Sequence, residues 1–149
     1  MQNPIPLTRD LVLVGGGHAH ALVLRRFGMR PVPGLRLTVI NPGATAPYTG
    51  MLPGHVAGHY PRETLDIDLV RLARFAGARL VLDRAIGLDL QRREVTLANR
   101  KPLRYDLLSL DIGITGELDL PGFAEHGLPA KPLERFATSW AAFVESRPQ

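Results

Sequence analysis

The sequence predicts an α/β fold, a parallel sheet with flanking helices and a small antiparallel β appendage, on three observations. Leu11–Val14 is a short apolar run stopped by Gly15-Gly16-Gly17. A helical pattern follows directly. Short β-rich runs then recur between turn residues along the chain. A β-branched run ended by glycine reads as a strand buried on both faces.

From His18 to Phe27 the apolar residues Ala19, Leu22, Val23 and Phe27 share one side, Arg25 and Arg26 turn outward, and Gly28 is the expected stop. The Pro31–Gly34 loop leads to a second strand at Arg36–Ile40, closed by Asn41-Pro42-Gly43. Strand, helix and strand at this spacing form a right-handed crossover with parallel strands. Ala44–Pro61 is rich in proline and glycine and has few periodic apolar residues, so it reads as a long functional loop. Asp66 is expected to cap a helix running to about Ala76, with Gly77 as its stop. Arg79–Leu90 reads as a third strand, Arg92-Arg93 as a turn and Glu94–Leu97 as a strand pairing back. Ala98–Leu103 is a further turn, before a strand from Tyr105 to Ile112. In the tail, Pro132 suits a first helical residue, and Leu133, Phe136, Ala137, Trp140, Phe143 and Val144 form an apolar stripe.

Composition narrows the function classes. The chain has 149 residues, 45% of them hydrophobic, which is enough for one core with a short appendage. Its net charge of +4 is carried by arginines spread over several elements with no interleaved aromatics, so no nucleic-acid partner is expected. With no cysteine, disulfides, zinc-thiolate sites and a redox dithiol are excluded. No apolar run is long enough for a membrane span, and the start has no leader pattern. The expected location is the cytoplasm, with at most peripheral contact with the inner membrane.

The chemistry sits at the first turn. Gly15, Gly16, Gly17, His18, Ala19 and His20, between a strand and a helix, supply the first two glycines of the dinucleotide fingerprint G-x-G-x-x-G. One permits a tight turn; the other lets a pyrophosphate approach the helix N-terminus. His20 stands where a third glycine or alanine normally allows close helix–strand packing. Asn41 stands where such Rossmann-like folds place an acidic residue against a ribose. His18 and His20, or His55 and His59, have metal-ligand spacing, but no Asp, Glu or Cys is placed to complete either set, so no metal is expected. Ser109 suggests a hydrolase triad by residue type only, since there is no G-x-S-x-G elbow.

Four stretches in order carry a resemblance: Leu11–His20, Pro47–Gly54 (Pro-Tyr-Thr-Gly-Met-Leu-Pro-Gly), Tyr105–Gly113, and Leu120-Pro121-Gly122 with Lys131-Pro132. On these the chain resembles the FAD-dependent pyridine nucleotide-disulfide oxidoreductase superfamily, on the side of type II NADH dehydrogenases and sulfide:quinone reductases. It is most similar to the NADH-dehydrogenase-like flavoprotein found fused to selenide, water dikinase. The resemblance implies a Rossmann-like FAD/NAD(P)-binding fold, with FAD as cofactor and NAD(P)H as hydride donor of the full-length protein. It places Gly15 and Gly17 on the FAD pyrophosphate, Asn41 and Pro42 by the adenosine ribose, and Ala85 by the adenine. Tyr48, Thr49, Gly50 and Met51 would approach the isoalloxazine, and Asp111, Ile112 and Gly113 would form the turn that returns to the flavin. Asp111 departs there from the family's Ala-Thr-Gly.

The resemblance covers the first third or so of a family member. Residues 1–130 would be the first part of the FAD domain, 79–104 its β appendage, and 131–149 a helix leading towards a nicotinamide-binding domain. The rest of its own polypeptide would be a partner, self-association through the Trp140 stripe is expected, and the segment alone would be inactive. Without cysteine, passage of electrons from flavin to a quinone-like acceptor is favoured over dithiol reduction. Two alternatives stand beside it: an NAD-binding dehydrogenase domain, and a non-catalytic nucleotide-binding or interaction module.

Overall fold

A computed structural model describes residues 8–114 and 120–146. The chain forms two compact units, residues 1–46 with 67–112, and residues 47–66 with 113–149.

The first unit opens with β1 (Arg9–Val14), α1 (His18–Met29) and β2 (Leu35–Asn41). The helix runs through Gly28 instead of stopping there. A Cβ on Gly28 would meet the ring of Phe75, so this glycine is where the next long helix of the unit packs. After β2 the chain forms β3 (Thr45–Pro47), a 3-10 turn at Thr49–Met51, α2 (Leu52–Val56), a second 3-10 turn at Arg62–Leu65 and β4 (Asp66–Asp68). The segment expected to be an irregular loop thus has short regular elements, and β3 pairs with β4. Because Asp66 is in a strand, the next helix begins later than expected: α3 (Leu69–Phe75) is capped by Asp68, which accepts the Arg71 N–H at 2.9 Å. Asp66 instead pairs with Arg62 at 2.9 Å.

The single strand expected from Arg79 to Leu90 is two, β5 (Arg79–Leu82) and β6 (Ala85–Asp89), in different sheets. Asp83 makes the corner. Its carboxylate accepts N–H groups of Arg84 and Asn99, so a charged residue can sit there 5% exposed. β7 (Glu94–Leu97) and β8 (Leu103–Arg104) complete an antiparallel sheet in the order β6-β7-β8, and β9 (Leu107–Leu110) returns to the parallel sheet. That sheet has the order β5-β2-β1-β9, all parallel, with Leu13 opposite both Val39 and Ser109.

Strand alternation sorts the core onto two faces. Val12, Val14, Ile40 and Val81 pack with Val95 and Leu97 of the antiparallel sheet. Leu13 and Val39 pack with Leu24 of α1, and Leu72 and Ala76 join them from the α3 region. The result is three layers, antiparallel sheet, parallel sheet and helices, with the C-terminal ends of the parallel strands at the glycine turn.

In the second unit, α4 (Phe123–His126) precedes α5 (Leu133–Glu145). Pro132 is the residue before the first helical turn, not the first within it. Leu133 and Ala137 are buried, Trp140 stacks on Phe136 at 6.3 Å, and the stripe ends on the exposed Phe143 and Val144.

Candidate functional site at the glycine turn

The end of β1 is held by its neighbours. Gly15 donates its N–H to Ile40 O at 2.8 Å, and Asp111 donates its N–H to Val14 O at 2.8 Å. Gly15 has φ +92°, and a Cβ there would collide with the Asp111 carbonyl. Only glycine combines that backbone with that approach. A Cβ on Gly16 would meet the buried side chain of Leu69.

Asn41 lies at the end of β2, 9% exposed. Its Oδ1 accepts the Gly16 N–H at 2.9 Å, and its Nδ2 donates to Gly43 O at 2.8 Å and Thr45 O at 3.2 Å. The amide therefore clasps the glycine turn to the chain leaving β2. A carboxylate could accept from Gly16 but could not donate to the two carbonyls.

His20 is 1% exposed in the first turn of α1. Its Nδ1 donates to Gly15 O at 2.7 Å, since a carbonyl only accepts, and in the neutral ring Nε2 accepts from the Ser109 hydroxyl at 2.8 Å. The bulky residue at the position of the third glycine is accommodated by a partner on β9. Ser109 and His20 thus do meet, but the ring's other nitrogen faces a main-chain carbonyl and not a carboxylate. The pair is a part-buried hydrogen bond without the oriented base that an activated nucleophile needs.

Asp111 completes the turn. Gly17 precedes α1 and has no side chain to cap it; Asp111 Oδ2 instead accepts the His20 N–H at 3.1 Å. The carboxylate lies over Gly17, where an added Cβ would sit 2.5 Å from Oδ2.

Gly15, Gly16, Gly17, His20, Asn41 and Asp111 are therefore one connected group. His18 and Ala19 lie beside it, exposed, at the start of α1. Ala85 begins β6 just after the corner where Asp83 N–H donates to Asn41 O at 3.1 Å. Pro42, Ile112 and Gly113 are exposed, and Gly113 has φ +72°. Tyr48, Thr49, Gly50 and Met51 belong to the second unit, where the Tyr48 ring lies against Gly50 and Tyr48 N–H donates to Leu65 O at 2.6 Å. There too His55 Nδ1 donates to Tyr60 O at 2.9 Å. Leu69 and Ser109 carry no sequence signal for their parts in the site, because each reaches the turn from far along the chain.

No family model and no curated protein matches the chain. Solved structures do. The sulfide:quinone oxidoreductase of Aquifex aeolicus superposes with a TM-score of 0.68 at 20% identity, covering 93% of this chain and 33% of that one. A NAD-dependent persulfide reductase from A. fulgidus gives 0.73 at 19% identity, with 93% and 28% covered. NDH2 from Plasmodium falciparum, in complex with NADH, gives 0.71 at 15% identity, with 93% and 29% covered. These likenesses establish a Rossmann-like fold. The chain spans a third or less of each of the three.

Proposed function

We propose that this chain is the FAD-binding segment of an NADH-dehydrogenase-like flavin oxidoreductase, which as a full-length protein passes electrons from NAD(P)H through FAD to a quinone-like acceptor. The observation that carries the reading is the turn itself: a left-handed Gly15 pressed on the main chain of Asp111, just after β9, and directly before the N-terminus of α1. Such a turn exposes backbone N–H groups and the positive end of a helix dipole to an anion. The backbone fits a dinucleotide pyrophosphate.

Bound FAD supplies a two-electron acceptor that can release electrons to a quinone. The protein's part is to hold and orient it. On this reading the first turn of α1, Ala19 included, faces the pyrophosphate. Asn41 keeps the turn in shape, and the corner at Asp83–Ala85 lies on the adenine side. Tyr48–Met51 and Ile112-Gly113 serve the isoalloxazine. The single glycine fingerprint is then occupied by FAD, and residues 114–149 contain no second one for a nicotinamide. The chain alone would lack the proximity that makes hydride transfer fast. The exposed end of the Trp140 stripe supports self-association of the isolated chain.

Titration of the purified chain with FAD, followed by flavin fluorescence, tests the reading. Saturable quenching is expected, with NADH oxidation in the presence of a quinone analogue no faster than free FAD gives. Unchanged FAD fluorescence together with binding of NAD would overturn it in favour of an NAD-binding dehydrogenase domain.

A further inference from the structure

The residue that most affects an anion at this turn is not a glycine. Asp111 Oδ2 accepts the His20 N–H, the third amide of α1, at 3.1 Å, and all three carboxylate atoms lie within 2.8 Å of where a Cβ of Gly17 would be. That space, opened by the second glycine of the fingerprint, is the path a pyrophosphate takes to the helix N-terminus. A carboxylate and a phosphate want the same donors, and two anions in one seat repel.

We infer that Asp111 governs the affinity of the glycine turn for pyrophosphate-bearing ligands by occupying the phosphate seat. Such a ligand binds only when this carboxylate turns away. The inference rests on the dinucleotide reading above. The main chain at Asp111 need not move for this exchange, because Asp111 N–H stays bonded to Val14 O at 2.8 Å. The exchange is a rotation of one side chain, which is half-buried and followed by the exposed Ile112. Asp111 thus stabilises the ligand-free turn in the manner of a helix cap supplied from another strand.

Three probes separate the possibilities: FAD, ADP and adenosine, which has the same base and sugar without phosphate. In Asp111→Asn the charge is gone, and in Asp111→Ser the space is cleared as well. Affinity for FAD and ADP should rise about tenfold in Asp111→Ser and somewhat less in Asp111→Asn, while adenosine changes less than about twofold, as the removal of a like charge at close range requires. In the wild-type chain, the His20 amide resonance should shift on adding FAD or ADP and stay in place with adenosine. This measurement stands even if both variants fail to fold. Unchanged or weaker FAD binding in folded variants, or an unmoved His20 amide at saturating FAD, overturns the inference and leaves the dinucleotide reading intact. If wild type and variants bind none of the three probes, the dinucleotide reading fails and the inference with it.

Discussion

The His20 ring bridges the glycine turn and β9, donating to Gly15 O at 2.7 Å and accepting from Ser109 Oγ at 2.8 Å. Alanine at position 20 would match the dinucleotide fingerprint better than histidine does. In this chain it would leave a carbonyl without its donor, a hydroxyl without its acceptor, and a void where a ring only 1% exposed had been. His20→Ala should therefore lower stability by about 2–4 kcal/mol, the combined effect of a core truncation and lost hydrogen bonds. Ser109→Ala should cost about 1 kcal/mol. Urea unfolding of the two variants checks the order; a neutral or stabilising His20→Ala would contradict the role given to the ring.

Gly15 and Gly77 both have left-handed backbones, φ +92° and +62°, but in different surroundings. A Cβ on Gly77 meets nothing within 4 Å, whereas one on Gly15 meets the Asp111 main chain. Gly77→Ala should cost about 1 kcal/mol of backbone strain, and Gly15→Ala at least twice that, because the main chain at Asp111 must also shift. Thermal unfolding of the pair distinguishes strain alone from strain with collision; equal losses would show that the approach at Gly15 is loose.

The parts of the fold that the sequence makes legible are those set by local pattern. The strand at Leu11–Val14 and the start of α1 follow from an apolar run and the glycines after it, and the structure has β1 and α1 there. Features set by contacts across the chain were not legible. Gly28 looks like a helix stop, but its missing side chain serves the Phe75 ring. Arg79–Leu90 looks like one strand because the partners that let Asp83 turn the corner are Asn99 and its own neighbour Arg84. At the site, the glycines and the helix were readable from spacing. The clasp at Asn41 and the carboxylate over Gly17 were not, since their partners lie 25 and 91 residues away.

Asp83 makes stability depend on acid. Burial pushes its carboxyl up, but the N–H groups of Arg84 and Asn99 and the nearby Arg100 charge outweigh this and hold it below the usual carboxylate range. The folded-state pKa is lower than the unfolded one. Its stabilisation is therefore complete above the unfolded value, about 4, and is lost as pH falls through the folded value. Asp83→Asn should be less stable than wild type at neutral pH, with the gap narrowing below about pH 4. Asp10, whose carboxyl the Arg36 hydrogen bond also holds down, titrates in both proteins and cancels in the difference. A gap that stays constant from neutral pH to the acid limit would refute the assignment.

Asn41 separates the structural part of the site from its affinity. An acidic residue here is the usual partner of a ribose, so Asn41→Asp looks like a gain. The Asn41 amide, however, donates to both Gly43 O and Thr45 O, and a carboxylate would set its charge against those carbonyls while keeping only the bond from Gly16 N–H. Asn41→Ala removes all three hydrogen bonds in a nearly buried place and should cost about 2–4 kcal/mol. Asn41→Asp should cost at least as much, because repulsion is added to the loss of two donors. FAD affinity should fall in both variants as the turn loosens. It should fall further still in Gly17→Val, whose branched side chain would enter the phosphate path directly. Urea unfolding and FAD titration of the three variants give the decisive pattern. A stable Asn41→Asp chain that binds FAD more tightly than wild type would show that the amide faces the ribose and that the clasp is incidental.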